Sequence, residues 1–373
     1  MGASLTELEL LVGADAFWRR ASADCAMAGR RLLVQAMTFE GDAAGQSVAR
    51  AIADSRADDR RVLVDAYTRV VVSDRWVGWP RSWLGADLRR ETEATDAMFR
   101  GLTKAGAKVR VTNPFAPLMA NYPARNHKKL IVADDVAYIG GINFSDHNFA
   151  WPDFMVRLEG REAADFLAGD FQATWSGEPV AGAADLDALR LISLDGRTND
   201  SFFDEFERLI AGARRDIVVL SAYLTFPFTA PLAAAARRGV KVTLITPLAN
   251  NKPTVRDYLL GFARRHRIDL RLLPGMSHLK GMLIDGERLV VGSCNFDCVG
   301  LAAEEEFVAE IQAPHVIEDF RRRVIDPALA EANIADAGRG TWLVSGMAYG
   351  VLKVAELWAR TSRNAQRTAV DWS

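Results

Sequence analysis

Two copies of His-x-Lys-x4-Asp lie about 150 residues apart in this chain, His127-Lys128-Lys129 with Asp134 and His278-Leu279-Lys280 with Asp285. Each is followed by a small-residue turn and an asparagine, Gly140-Gly141-Ile142-Asn143 and Gly292-Ser293-Cys294-Asn295. A single copy would say little, because the residue types are common. The repeated order with the repeated tail is a signal. On a strand, residues i and i+2 point to one face, so each imidazole projects beside its ammonium. That pair suits a phosphate: lysine binds the anionic oxygens, and histidine attacks phosphorus or moves a proton. Asn143 and Asn295 supply amide donors for the same oxygens. If both sets reach one phosphate, one imidazole is the nucleophile and the other protonates the leaving alkoxide. Such a two-step substitution requires no metal or cofactor, and the sequence has no evident metal cluster.

A nucleophilic histidine must be held in the right tautomer, and a carboxylate on its other nitrogen does this. Asp153 follows Asn143 by ten residues, Glu306 follows Asn295 by eleven, and each opens an apolar run. These two are expected to orient the histidines. Asp134 and Asp285 end the motif strands, where turn or bracing roles are expected. His147, His266 and His315 have no partner motif and read as surface or structural residues.

The elements that must position these groups are also duplicated. Arg31 to Phe39 reads as a strand, Gly45 to Ser55 as a helix and Arg61 to Asp65 as a strand. Asp216 to Thr225, Pro231 to Arg238 and Val240 to Thr246 repeat the order. In each half the motif opens a further strand, Lys129 to Ala133 and Lys280 to Ile284, and a return strand follows. Strands alternating with helices imply an α/β fold with a mostly parallel mixed sheet. The chain divides into an N-terminal lobe, 1–185, a C-terminal lobe, 186–335, and an amphipathic tail, 336–373. Gly177, Pro179, Gly182 and Asp195-Gly196 mark the break. The first lobe carries an insert with Trp76, Trp79 and Trp83, broken by Gly78 and Pro80. It reads as an apolar rim at a substrate mouth, a membrane-inserting loop or a locally packed cap.

Composition narrows the function classes. The 373 residues are 49% hydrophobic and 25% charged with a formal charge of −2, which offers no general attraction for nucleic acid. Cys25, Cys294 and Cys298 make neither a disulfide framework nor a zinc-type cluster and read as small buried thiols. No apolar run is long enough to cross a bilayer. The acidic, amphipathic stretch Ser4 to Trp18 lacks the order of a signal peptide, so a cytoplasmic location is expected. Thr341 to Trp358 reads as a helix packed on the protein body. The alternative is a helix lying flat on a bilayer through Trp342, Leu343, Tyr349 and Trp358. Arg264-Arg265-His266-Arg267 reads as a solvated helix end, or else as a patch for anionic headgroups.

With these residues in view, the chain resembles the phospholipase D superfamily, and within it most closely the bacterial cardiolipin synthases. The likeness runs from about residue 10 to 330. It is carried by the paired motifs, by Arg125-Asn126, Trp151-Pro152-Asp153 and Phe39-Glu40-Gly41-Asp42 with Gly45, and by Ser221-Ala222-Tyr223 with Arg238-Gly239-Val240-Lys241-Val242. The resemblance implies two fused, pseudo-twofold-related lobes with one site between them and a phosphohistidine intermediate. It also implies transfer of a phosphatidyl group to an alcohol or to water, with His127 attacking and His278 as general acid. The expected partners are a phospholipid such as phosphatidylglycerol and the inner face of a membrane. There are departures. Asp297 and Glu306 keep their places, but Val299, Gly300 and Glu304 stand where Arg, Ser and Asn are usual, and Pro152 where Arg is common. One residue is missing between Asp134 and Gly140. A lost Arg removes a fork for a second phosphate, which leaves the acceptor open. A hydrolytic phospholipase D and a metal-independent phosphodiesterase or nuclease share the motifs. A non-catalytic scaffold would have lost one of them.

Overall fold

Each motif strand turns back on itself at an aspartate in the left-handed region, Asp134 at φ 52° and Asp285 at φ 53°. Leu130–Ala133 pairs antiparallel with Val136–Gly140, and Lys280–Ile284 with Arg288–Gly292. The turn aspartates then brace these hairpins to the start of the central strand. Asp134 accepts from the backbone N–H groups of Gly29, Arg30 and Arg31 at 2.9, 2.9 and 3.0 Å. Asp285 accepts from those of Arg214, Arg215 and Asp216 at 2.9, 2.7 and 3.1 Å.

This computed structural model describes residues 6–72, 75–76, 85–335 and 341–372. Trp79 and Trp83 lie outside the described residues. Trp76 belongs to the short strand Arg75–Trp76, paired with Val71–Val72, and its side chain is likewise not described.

The chain forms two compact units, residues 1–180 with 365–373, and residues 181–364. Each has a mixed sheet flanked by helices. The first sheet runs in the order Glu7–Val12, Phe154–Glu159, Val136–Gly140, Leu130–Ala133, Arg31–Ala36, Asp59–Asp65, Lys108–Thr112 and Ala369–Asp371. The second contains the same seven-strand order in Leu189–Asp195, Glu305–Ile311, Arg288–Gly292, Lys280–Ile284, Asp216–Ser221, Lys241–Pro247 and Asp269–Leu273. It adds Gly182–Leu186 at one edge and Asn333–Ile334 at the other. Parallel pairing is confined to three strands in each sheet, joined by helices such as Ala43–Asp54 and Thr229–Arg237. The other pairs are antiparallel. The parallel share is therefore smaller than the strand–helix alternation implied, because the motif hairpins return without a crossover helix.

Helices bury one face on each sheet. Phe17, Phe39, Tyr138 and Phe144 meet in the first core. Phe202, Phe206, Phe228 and Phe296 meet in the second. All three cysteines are free and buried, and burial pushes the Cys25 and Cys298 thiols up to about 12.

The tail does not stand as a unit of its own. The helix Thr341–Ser362 belongs to the second unit, with Ala348 and Leu352 in its core. Ala369–Asp371 instead forms an edge strand of the first sheet against Lys108–Thr112. Trp372 stacks on Phe99 at 4.2 Å, and Arg69 lies 4.2 Å from the Trp372 ring. These contacts explain why so short a strand stays docked.

Candidate active site

In both lobes the lysine of the motif reaches back to the carbonyl of its own histidine. Lys129 Nζ donates to His127 O at 2.6 Å, and Lys280 Nζ to His278 O at 2.8 Å. The bond fixes each ammonium against the backbone of the histidine two residues before it. All four side chains are buried in the folded chain. A buried ammonium is costly unless it has acceptors. Each ammonium is thus held away from water, where its field is strongest.

The loop before His127 is held from below. Asp65, at the end of its strand, accepts from Arg125 Nη1 at 3.0 Å, from the Asn126 N–H at 2.8 Å and from the Tyr67 N–H at 2.8 Å. Asn126 Oδ1 accepts from Gln35 Nε2 at 2.8 Å. Arg125 also lies 4.4 Å from the Phe115 ring. The intervening Lys128 points the other way, with its ammonium 2.7 and 2.9 Å from the two oxygens of buried Asp170. The second lobe has Leu279 in that place, buried without an ion pair.

Asn143 and Asn295 occupy matching positions after the return strands. Asn143 Oδ1 accepts from the Thr38 N–H at 3.3 Å, and its Nδ2 donates to Asn148 Oδ1 at 3.5 Å. Asn148 in turn donates to Ser145 Oγ at 2.7 Å, and His147 Nε2 lies 2.7 Å from the Asn148 amide nitrogen. The backbone carbonyl of Asn295 accepts from Ser221 Oγ at 2.8 Å. Among the described residues, buried Asn295 Oδ1 and Thr38 Oγ1 have no hydrogen-bond partner. Such orphans are rare in folded proteins and collect where a ligand completes the network.

Asp153 and Glu306 sit at the same register. Gly141 N–H donates to Phe154 O at 3.3 Å, and Ser293 N–H to Phe307 O at 3.0 Å. The carboxylates just before those phenylalanines therefore lie against Gly141 and Ser293. Ser293 Oγ donates to Glu306. At Gly141 a Cβ would overlap the Asp153 carboxylate. Both acids are buried.

Near the second motif, Asn251 and Lys252 carried no signal in the sequence, while Tyr223 and Asp297 were named there without a role. The Tyr223 ring stands edge-on to His278 at 6.1 Å. Its hydroxyl donates to Asn251 Oδ1 at 2.7 Å, and Lys252 Nζ lies 4.4 Å from the ring centre. Asp297 caps the helix Cys298–Ala303 by accepting from the Val299 and Gly300 N–H groups at 2.8 and 2.7 Å. Burial holds its carboxyl above the ordinary range despite these donors and the charge of Lys252. Asn148, Asn251 and Lys252 lie outside the repeated pattern, so only the folded arrangement reveals them.

Residues 206–325 match the family described as cardiolipin synthase, PLD-like domain. The chain is 26% identical over 351 residues to cardiolipin synthase B of Escherichia coli K12, covering 84% of this chain and 78% of that one. It is 26% identical over 234 residues to a minor cardiolipin synthase of Bacillus subtilis, covering 56% and 58%. Its fold is similar to the crystal structure of phosphatidylserine synthase from Haemophilus influenzae, with a TM-score of 0.68, 15% identity and 95% of each chain covered.

Proposed function

We propose that this chain, a cardiolipin synthase-like member of the phospholipase D superfamily, is a phosphatidyltransferase working through a phosphohistidine. The observation that supports this is the same lysine-to-histidine-carbonyl bond in both lobes, with His, Lys and Asn buried at matching places. His127 attacks phosphorus, the bond to the headgroup alcohol breaks, and His278 gives its proton to the departing alkoxide. The acceptor alcohol then loses its proton to His278 and attacks the same phosphorus. The P–N bond breaks, the new phosphodiester leaves, and both histidines are restored. Lys129, Lys280, Asn143 and Asn295 hold the non-bridging oxygens, and Asp153 and Glu306 orient the imidazoles.

The donor is a glycerophospholipid such as phosphatidylglycerol, taken from the cytoplasmic face of a membrane. The acceptor side is too acidic to welcome the phosphate of a second phospholipid headgroup. Beside Gly300 stand the carboxylates of Glu304, Asp297 and Glu306, 3.4, 3.6 and 3.7 Å from the position of a Cβ. That acidic wall favours a neutral hydroxyl acceptor. With water as acceptor the same site is a hydrolase.

The test is incubation of the purified protein, with a His127→Ala control, on liposomes of phosphatidylglycerol, phosphatidylethanolamine and a ceramide-containing lipid. Products are read by mass spectrometry. A transfer product absent from the control is expected. Phosphatidic acid alone would make the enzyme a hydrolase. Unchanged lipids, with cleavage of nucleic acid instead, would overturn the reading.

A further inference from the structure

The helix Thr341–Ser362 is apolar on both of its faces. On its inner side Ser345 Oγ donates to Tyr258 O at 3.3 Å, and Cys298 Sγ lies 3.8 Å from Leu352 O. Gly261, in the helix Pro253–His266, has room only for a hydrogen, because Ser345 fills the place of a Cβ. Ala348, Leu352 and Ala359 continue this packed side. The outer side is Leu343, Val344, Met347, Val351 and Val354, at helical spacing, with Trp342 and Trp358 near its two ends. Trp342, Met347 and Val354 are 70–73% exposed. No charged residue occurs from Trp342 to Leu352. A helix that faces water on one side is polar on that side, so this face is made to be covered.

Beside it is a groove of about 870 Å³ between this helix, the helix Pro253–His266 and the segment from Phe226 to Arg237. Phe226, Tyr258, Phe262, Trp342 and Tyr349 line its apolar wall. Arg237, Arg264 and Arg265 border it and are exposed. The acid on the closing helix, Glu356, is occupied by Lys353 at 2.8 Å and Arg360 at 2.9 Å.

We infer that this face docks on an anionic phospholipid bilayer, with the Trp342–Trp358 stripe in the interfacial layer and the three arginines on lipid phosphates. Aromatic residues at the ends of an aliphatic stripe, bordered by basic groups, match the polarity gradient of a bilayer surface. A second copy fits worse, since a twofold contact through this face would bring the same arginines toward one another. No described helix is long and apolar enough to cross the membrane, so the contact is lateral. The inference rests on the phospholipid reading only in its choice of partner.

Flotation of the full chain with phosphatidylglycerol–phosphatidylcholine vesicles, and with phosphatidylcholine vesicles alone, tests it. The chain is expected to float with the anionic vesicles. The triple variant Trp342→Ser, Met347→Ser, Val354→Ser is expected to lose at least about tenfold in bound fraction. Arg264→Gln with Arg265→Gln is expected to lose the preference for anionic vesicles. Undiminished flotation of the triple variant would overturn the inference. So would a dimer in size-exclusion that the triple variant dissolves while the wild type fails to float. Met347→Cys carrying an environment-sensitive dye gives a second reading, the native cysteines being buried. A blue shift on anionic vesicles supports docking, and an unchanged spectrum refutes it. Turnover of a monomeric short-chain phospholipid separates the two readings. Retained turnover without flotation refutes docking alone, whereas flotation without turnover refutes the enzymatic reading and leaves docking standing.

Discussion

Ser293 donates its hydroxyl to the Glu306 carboxylate, whereas its counterpart Gly141 leaves that space to the Asp153 carboxylate itself. The two acids are therefore held by different means at the same register. Ser293→Ala removes a donor from a buried carboxylate and is expected to cost about 2 kcal/mol of stability, read by denaturant titration. Gly141→Ala pushes Asp153 out of place. Its turnover is expected to fall at least about tenfold with far-ultraviolet circular dichroism unchanged.

Lys128 and Asp170 form a buried ion pair where the second lobe has Leu279. Breaking it by Lys128→Ala takes the cation away from a buried carboxylate, and a loss of roughly 3–5 kcal/mol is expected. Replacing both partners, Lys128→Leu with Asp170→Leu, is expected to recover most of that loss. A double variant as unstable as the single one would show that the pair does more than balance its own burial.

Acid stability should report the turn aspartates. Burial raises the Asp134 and Asp285 carboxyls, but three backbone donors each, with Arg30 or Arg215 nearby, outweigh it and hold both below the ordinary range. A depressed carboxyl stabilises the fold above its unfolded value, about 3.9, and this is lost as pH falls through the lower folded value. Asp134→Asn and Asp285→Asn should each cost about 1–2 kcal/mol at pH 7. Their melting temperatures should also fall less steeply than the wild type's below about pH 4.

The histidines should separate by role. His127→Ala and His278→Ala are each expected to lose at least about a thousandfold in turnover. Rapid quench of the wild type at high pH, followed by peptide mapping, should place the phosphoramidate on the peptide holding His127. An adduct on His278 would reverse the assignment of nucleophile and acid.

The motif strands, their hairpins and the lobe pattern were legible because their apolar runs and punctuation are local. Lys280–Ile284 and Asp216–Ser221 show this. Pairing direction was less so, since a run such as Val136–Gly140 reads the same in either sense and only its short turn makes it antiparallel. The histidines and lysines of the candidate site announce themselves by repetition. Asn148 and Lys252 do not, because Asn148 stands on a short helix where the matching helix of the second lobe has Gly300, and Lys252 reaches the Tyr223 ring from a bend. The short strand Ala369–Asp371 has no periodicity of its own and is set by the sheet edge that receives it.

That edge strand imposes an order on synthesis. Arg110 pairs with Asp371, 261 residues later, and Asn113 N–H donates to Thr368 O at 2.9 Å. The first lobe thus emerges from the ribosome with one sheet edge bare and Phe99 without its Trp372 cover. It stays so until the whole second lobe has been translated, a long-range closure of the slow kind. A nascent chain halted before Ala369 would carry an exposed strand edge, which makes stalled or truncated products of this gene natural clients for chaperones.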